Sequence, residues 1–226
     1  MRRNRFSLLI LIILMAFIAL PKNLLFADWM VTETFGPTGE SGQFCAVDSV
    51  GKLWVTDYGT PGSDGVYVFN SDGTQASFSP IVNGKDASGT DIAIDQAGGV
   101  AYFDGVVYVV NYASNYIHRF KADDGTALNG WQTALGSPGD IDIDDSGNVF
   151  VIKKVAAQFA VYDTVGNELT GSPFGTEGWH INRGISVTDD GSKVLLADES
   201  SDLVAVWEGS VTDGTASYTA GTDLMT

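Results

Sequence analysis

Short apolar stretches that alternate with polar positions, and break at Gly-containing turns, recur from about residue 41 to the end of the chain. Apolar residues at helical spacing are missing from this whole region. Four related units stand out: CAVDSVGKLWVTD at 45–57, IAIDQAGGVAYFDGVVYVVN at 92–111, IDIDDSGNVFVIK at 141–153 and ISVTDDGSKVLLAD at 185–198. Each opens with an alternating strand, turns through a polar loop containing Gly, and runs into a more apolar second strand. Asp48, Asp95, Asp144 and Thr188 close the first strands at spacings of 47, 49 and 44 residues. A third strand ends in an aromatic residue, Phe69, Phe120, Tyr162 or Trp207, which the burial habits of aromatics place between packed sheets. Turns at 71–73, 123–125, 165–167 and 213–214 supply the Gly that a positive φ requires. Fourth strands are weaker, with 75–79 the clearest and 215–218 the last.

Three or four short strands per unit at a period near 45 residues describe a β-propeller blade, so the expected fold class is all-β, a propeller of about four visible blades. The second unit has two possible registers. Asp95 and Tyr108 are 13 residues apart where Asp48 and Trp54 are 6 apart. Either seven residues are inserted into that hairpin, or 99–103 is itself the inner strand, turned tightly at Asp104-Gly105.

The recurring form (A/I)(V/I)D-x-x-G-x-(L/V)-(W/Y/F)-V, followed by a polar turn and a V-x-V-F strand, resembles the NHL repeat and its relatives among six-bladed propellers. The resemblance covers residues 41–214 and implies a fold that hosts binding, scaffolding and a few hydrolase or lyase activities. A six-bladed relative implies that the four visible units are an N-terminal portion of a longer propeller. In the lactonase relatives a Glu before the first inner strand, an Asn just before an inner-strand Gly and an Asp in a Pro-Asp-Gly element hold a divalent ion. Glu40 is roughly placed for the first of these. Elsewhere this chain departs from the pattern: Arg183 precedes Gly184 with Asn182 one step back, and Pro138-Gly139-Asp140 reverses the Asp-Gly order.

The first 27 residues change the picture of location. Arg2, Arg3 and Arg5 precede an apolar run at 8–20, a polar break at 21–23 and a second apolar stretch at 24–27, which is the layout of a secretory signal peptide cleaved after Ala27; the large Leu25 at the −3 position leaves an uncleaved anchor as the alternative. Residues 28–226 are then the NHL-like propeller domain, secreted into the extracellular space or the cell envelope (periplasm), with no stable membrane span after cleavage. The full chain carries 12 Lys+Arg against 28 Asp+Glu, a net charge of −16. The leader holds four of the cations and none of the acids, so the mature chain is more acidic still and no nucleic-acid partner is expected.

Candidate chemistry follows from the strand alternation. With the units aligned on their closing residues, Asp91, Asp140 and Asp142 fall on the channel side of the inner strands; they make either a hydrated acidic channel without a specific ion or, since hard oxygen ligands of this kind suit it, a site for a metal such as Ca²⁺. The Asp at the strand end has a plainer role, accepting backbone amides in the turn. The segment Gly178-Trp179-His180-Ile181-Asn182-Arg183 leads into the fourth inner strand, and Trp179, His180 and Arg183 are the candidate ligand-binding residues. His118 reads as a solvated strand residue and Cys45 as a buried small hydrophobe. No nucleotide-binding glycine loop, zinc-binding cysteine cluster or serine elbow is present. Three functions remain: a binding or interaction module for a protein, peptide or glycan; a metal-dependent, lactonase-like hydrolase; and a structural repeat of a larger envelope protein.

Overall fold

A computed structural model describes residues 42–59, 65–176 and 182–224. The signal segment, Glu40, Trp179 and His180 lie outside them. Strands and turns make up the described residues, and no helix among them is long and apolar enough to cross a membrane.

The first sheet is β1 (Gly42–Val47), β2 (Leu53–Asp57) and β3 (Gly65–Phe69), paired in that order. A small hairpin follows, β4 (Asn83–Lys85) with β5 (Asp91–Ala93). The second blade is β6 (Ala97–Phe103), β7 (Val106–Asn111), β8 (Tyr116–Lys121) and β9 (Ala127–Gln132), and the hairpin joins its outer edge where Lys85 pairs with Asn129. The third is β10 (Pro138–Ile143), β11 (Val149–Lys153), β12 (Ala157–Tyr162) and β13 (Phe174–Thr176). The fourth is β14 (Asn182–Val187), β15 (Lys193–Asp198), β16 (Leu203–Thr212) and β17 (Thr215–Ala220). All four are antiparallel meanders, and the inner strands β1, β6, β10 and β14 meet in that sequence.

The core lies in the seams between blades, which explains why the second strands are apolar at nearly every position. Strand side chains alternate faces. Val107 and Val109 of β7 pack with Trp54, Val66 and Val68 of the first blade, while Tyr108 and Val110 pack against Val149 and Val151 of the third. On β11 the same split sends Phe150 and Ile152 to the fourth blade, against Val194, Leu196 and Tyr218. The strand-ending aromatics Phe120, Tyr162 and Trp207 each join one of these seams.

The structure corrects several expectations. The inner strand of the second blade is β6, not the alternating segment at 92–95. Asp104 and Gly105, at φ +42° and +80°, close a two-residue turn in which Phe103 pairs with Val106. Gly98 and Gly99 also let β6 run close beside β10, since a Cβ on Gly99 would come within 2.7 Å of the Ile141 amide. Residues 75–79 form only an isolated bridge, Gln75 to Phe69. Cys45 is exposed, because Phe44 and Ala46 take the face of β1 that packs on the second blade and Cys45 takes the other. His118 is fully buried beneath the β4–β5 hairpin, its Nε2 3.0 Å from Asn111 Nδ2 and its ring against the Gly84 backbone. Burial pushes its pKa down to about 4.

Candidate functional site

Every inner strand breaks register with its neighbour near its first residues. The break falls between Gly42 and Phe44 in β1, Ala97 and Val100 in β6, Pro138 and Ile141 in β10, and Asn182 and Gly184 in β14. A bulge leaves residues unpaired and re-aims them, and it recurs here at one level of all four blades. Gln43, Gly98, Gly139 and Arg183, each skipped by the pairing, line one cavity of about 40 Å³. Its wall is completed by the residues that follow the second strands, Tyr58, Tyr112 and Lys154, with Phe44, Pro138 and Asn182.

Lys154 is the central side chain. Its Nζ lies 3.1 Å from Tyr58 Oη, 4.3 Å from the centre of the Tyr58 ring and 4.7 Å from that of Tyr112, and the two rings are 6.3 Å apart at 51°. Such an arrangement holds an ammonium in place by cation–π attraction. The backbone beneath it is fixed as well, Lys154 N donating to Ser137 O and Asn182 N to Lys154 O. Asn182 is buried and its Nδ2 donates to Lys153 O and Ala156 O. Arg183 is exposed and pairs through Nε with Glu199.

The three acids read as a metal set are not brought together. Asp91 sits on β5 at the outer edge of the second blade, exposed, 2.9 Å from Lys85 Nζ. The register of the second blade removes it from the inner strand, which is the physical reason for the difference. Asp140 and Asp142 do share one side of β10, but their oxygens are engaged. Asp140 Oδ1 accepts from Ile141 N at 2.9 Å and Oδ2 from Ile185 N at 3.0 Å. Two residues on, Asp142 Oδ1 accepts from Ile143 N at 2.9 Å and Oδ2 from Val187 N at 2.7 Å. An inner strand has a partner on one side only, so its other edge presents unpaired amides. These two carboxylates satisfy four such amides and staple the third blade to the fourth. Burial pushes the Asp140 carboxyl up to about 6 against the pull of those amides, and burial raises Asp142 too. No group of three His, Cys, Asp or Glu among the described residues is placed to hold a metal ion, and this set does not fit Ca²⁺.

The turn acids take the plainer role where the register allows it. Asp48 Oδ1 accepts from Val50 N and Lys52 N, and Asp144 Oδ1 from Ser146 N and Asn148 N. Asp95 lies off the hairpin and its buried Oδ1 has no partner among the described residues.

Of the residues lining this cavity the sequence singles out Arg183 but not Tyr58, Tyr112 or Lys154. The signal was a column one residue past the apolar second strand, where Tyr58, Tyr112, Lys154 and Glu199 stand in successive units and core-type aliphatics do not.

No protein-family profile and no curated protein matches this chain. Solved structures do. A catalytically inactive virginiamycin B lyase from Staphylococcus aureus, solved with quinupristin, is similar at a TM-score of 0.58 and 14% identity, over 80% of this chain and 57% of that one. A gluconolactonase from Xanthomonas campestris is similar at 0.53 and 16%, over 75% and 58%. A protein from Lactobacillus plantarum is similar at 0.60 and 18%, over 81% and 55%. The fold is a β-propeller. At these identities the likeness concerns the fold, and the chain spans somewhat over half the length of each of these structures.

Proposed function

We propose that this chain is an NHL-like propeller binding module, working in the cell envelope or outside the cell, that takes a protein, peptide or glycan over the face where its inner strands begin. One observation carries the reading: four blades each contribute a bulged residue to a single cavity walled by Tyr58, Tyr112 and Lys154. Recognition residues sit well on loops and strand ends held by a rigid scaffold, and Tyr and Arg are frequent anchors of binding. Trp179 and His180 belong to this reading by sequence alone, as the chain neighbours of Arg183. The test is a glycan and peptide array probed with the wild-type protein and with Tyr112→Ala and Trp179→Ala. Loss of a captured ligand with an unchanged melting temperature supports the reading, and capture indifferent to every such change removes this face from it.

A metal-dependent hydrolase is the second reading, favoured by the likeness to a structure described as a gluconolactonase. Asp91, Asp140 and Asp142 do not supply its ion. Stoichiometric Ca²⁺ binding in a calorimetric titration would favour it over the binding module.

A further inference from the structure

The cavity at the start of the inner strands has a charge opposite to that of the chain. Acids outnumber cations 28 to 12 overall, yet Lys154 and Arg183 line the cavity and no carboxylate among the described residues does. Lys154 forms no ion pair among the described residues. Its contacts are a phenol oxygen and two ring faces, which fix the position of the ammonium without neutralising it. Arg183 commits Nε to Glu199, and its two Nη groups take no partner among the described residues. Two cations from adjacent blades therefore converge on one space. A volume of about 40 Å³ admits a group of a few atoms. Gly98 and Gly139 contribute no side chain to that space, while Tyr58, Tyr112 and Phe44 supply apolar ring surface around it.

We propose that this cavity is a carboxylate pocket, and that its ligand is a uronic-acid sugar whose carboxylate enters between Lys154 and Arg183 while the pyranose rests on the tyrosine rings. The assignment rests on the reading of this face as a binding face. A sugar is preferred to a peptide because rigid aromatic surface beside a small polar pocket matches the flat C–H face of a pyranose carrying one charged substituent. The net negative charge of the chain disfavours a polyanion, so a single carboxylate in an otherwise neutral ligand fits best.

Saturation-transfer NMR on the full chain, with methyl β-glucuronide, methyl β-glucoside and N-acetylglutamate methylamide as probes, tests it. The glucuronide is expected to bind, with the glucoside weaker by about tenfold or more, the scale of a hydrogen-bonded charge. Lys154→Met should weaken the glucuronide by a similar factor, Lys154→Arg should retain most of it, and Arg183→Gln should weaken it by about threefold. Should Lys154→Met fail to fold, Arg183→Gln, an exposed position, carries the test. Equal binding of glucoside and glucuronide, both lost in Tyr112→Ala, overturns the carboxylate pocket and leaves the binding face standing. Stronger binding of the glutamate probe overturns the sugar. Absence of binding by every probe overturns the proposal, and probe binding that no change at Tyr58, Tyr112, Lys154 or Arg183 affects overturns the binding face with it.

Discussion

The inner edge of the third and fourth blades and the cavity at the start of the inner strands lie a few residues apart along β10, yet their polar side chains do opposite work. Asp140 and Asp142 look channel-facing and free in sequence and are consumed by backbone amides of β10 and β14. Lys154 and Arg183 line a cavity to which no carboxylate among the described residues contributes, and Glu199 meets only the Arg183 Nε. The difference teaches that a charged column along an inner strand carries information about function only after the free amides of the strand edge have been counted. Four amides without a β partner are a stronger claim on two carboxylates than a metal ion that lacks its other ligands.

The largest effect that sharpens this contrast is at Gly99. A Cβ there would fall 2.6 Å from Asp140 Cα and 2.7 Å from the Ile141 amide, both backbone, so β6 and β10 must separate. Gly99→Ala is expected to destabilise the protein by about 3 kcal/mol, the upper end of overpacking, read as a lowered denaturant midpoint. An unchanged midpoint would show that the inner strands are not held at this distance.

Next in size are the buried titratable groups. Asp140→Asn leaves one acceptor for two amides, so Ile141 N or Ile185 N meets an amide NH₂, at a cost of about 2 kcal/mol. The pH dependence identifies the cause. In the fold the Asp140 carboxyl titrates near 6, above its ordinary value, so its ionised form weakens folding and its contribution to stability rises as pH falls through 6 toward 4. The deficit of Asp140→Asn should therefore widen between pH 8 and pH 5. Turn acids such as Asp72, Asp86 and Asp124, held below the ordinary value chiefly by hydroxyl donors from Thr74, Ser88 and Thr126, titrate alike in both proteins and cancel in the difference. His118 behaves in the opposite sense. Burial holds it near 4, so its contribution is complete above 6.5 and is lost as pH falls toward 4, a change of about 3 kcal/mol. His118→Gln should remove that acid-side loss, and a melting curve with the same pH dependence as wild type would refute the assignment.

The blade repeat was legible because seams bury both faces of the second strands, which leaves an unbroken apolar signature at 53–55, 106–110, 149–152 and 194–197. The register of the second blade was legible only as two alternatives. Asp95 imitates the turn acid of the other units, while the decisive features, a two-residue turn at Asp104-Gly105 and the close approach at Gly99, depend on neighbours distant in sequence. That one slip carried Asp91 into the wrong column. The cavity was the least legible part. Its central residues come from four bulges and three strand ends, none apolar or periodic enough to mark itself, and Lys154 acquires its meaning only from Tyr58 and Tyr112, which lie 96 and 42 positions earlier.

The smallest expected effect on folding is at Lys154 itself, and it separates the two regions most directly. A half-buried ammonium over two rings contributes about 1 kcal/mol by cation–π attraction, and methionine keeps the apolar stem and a polarisable contact to the rings. Lys154→Met should thus lower stability by less than about 1 kcal/mol, well under Asp140→Asn, while Asp140→Asn leaves the cavity lining untouched. If the comparison holds, the two substitutions dissociate: one moves the denaturant midpoint and spares ligand capture, the other spares the midpoint and removes capture. A Lys154→Met protein as unstable as Asp140→Asn would mean that the ammonium is a staple of the same kind as the carboxylates, with Tyr58 tied to the third blade through it, and the cavity would then be a by-product of the packing.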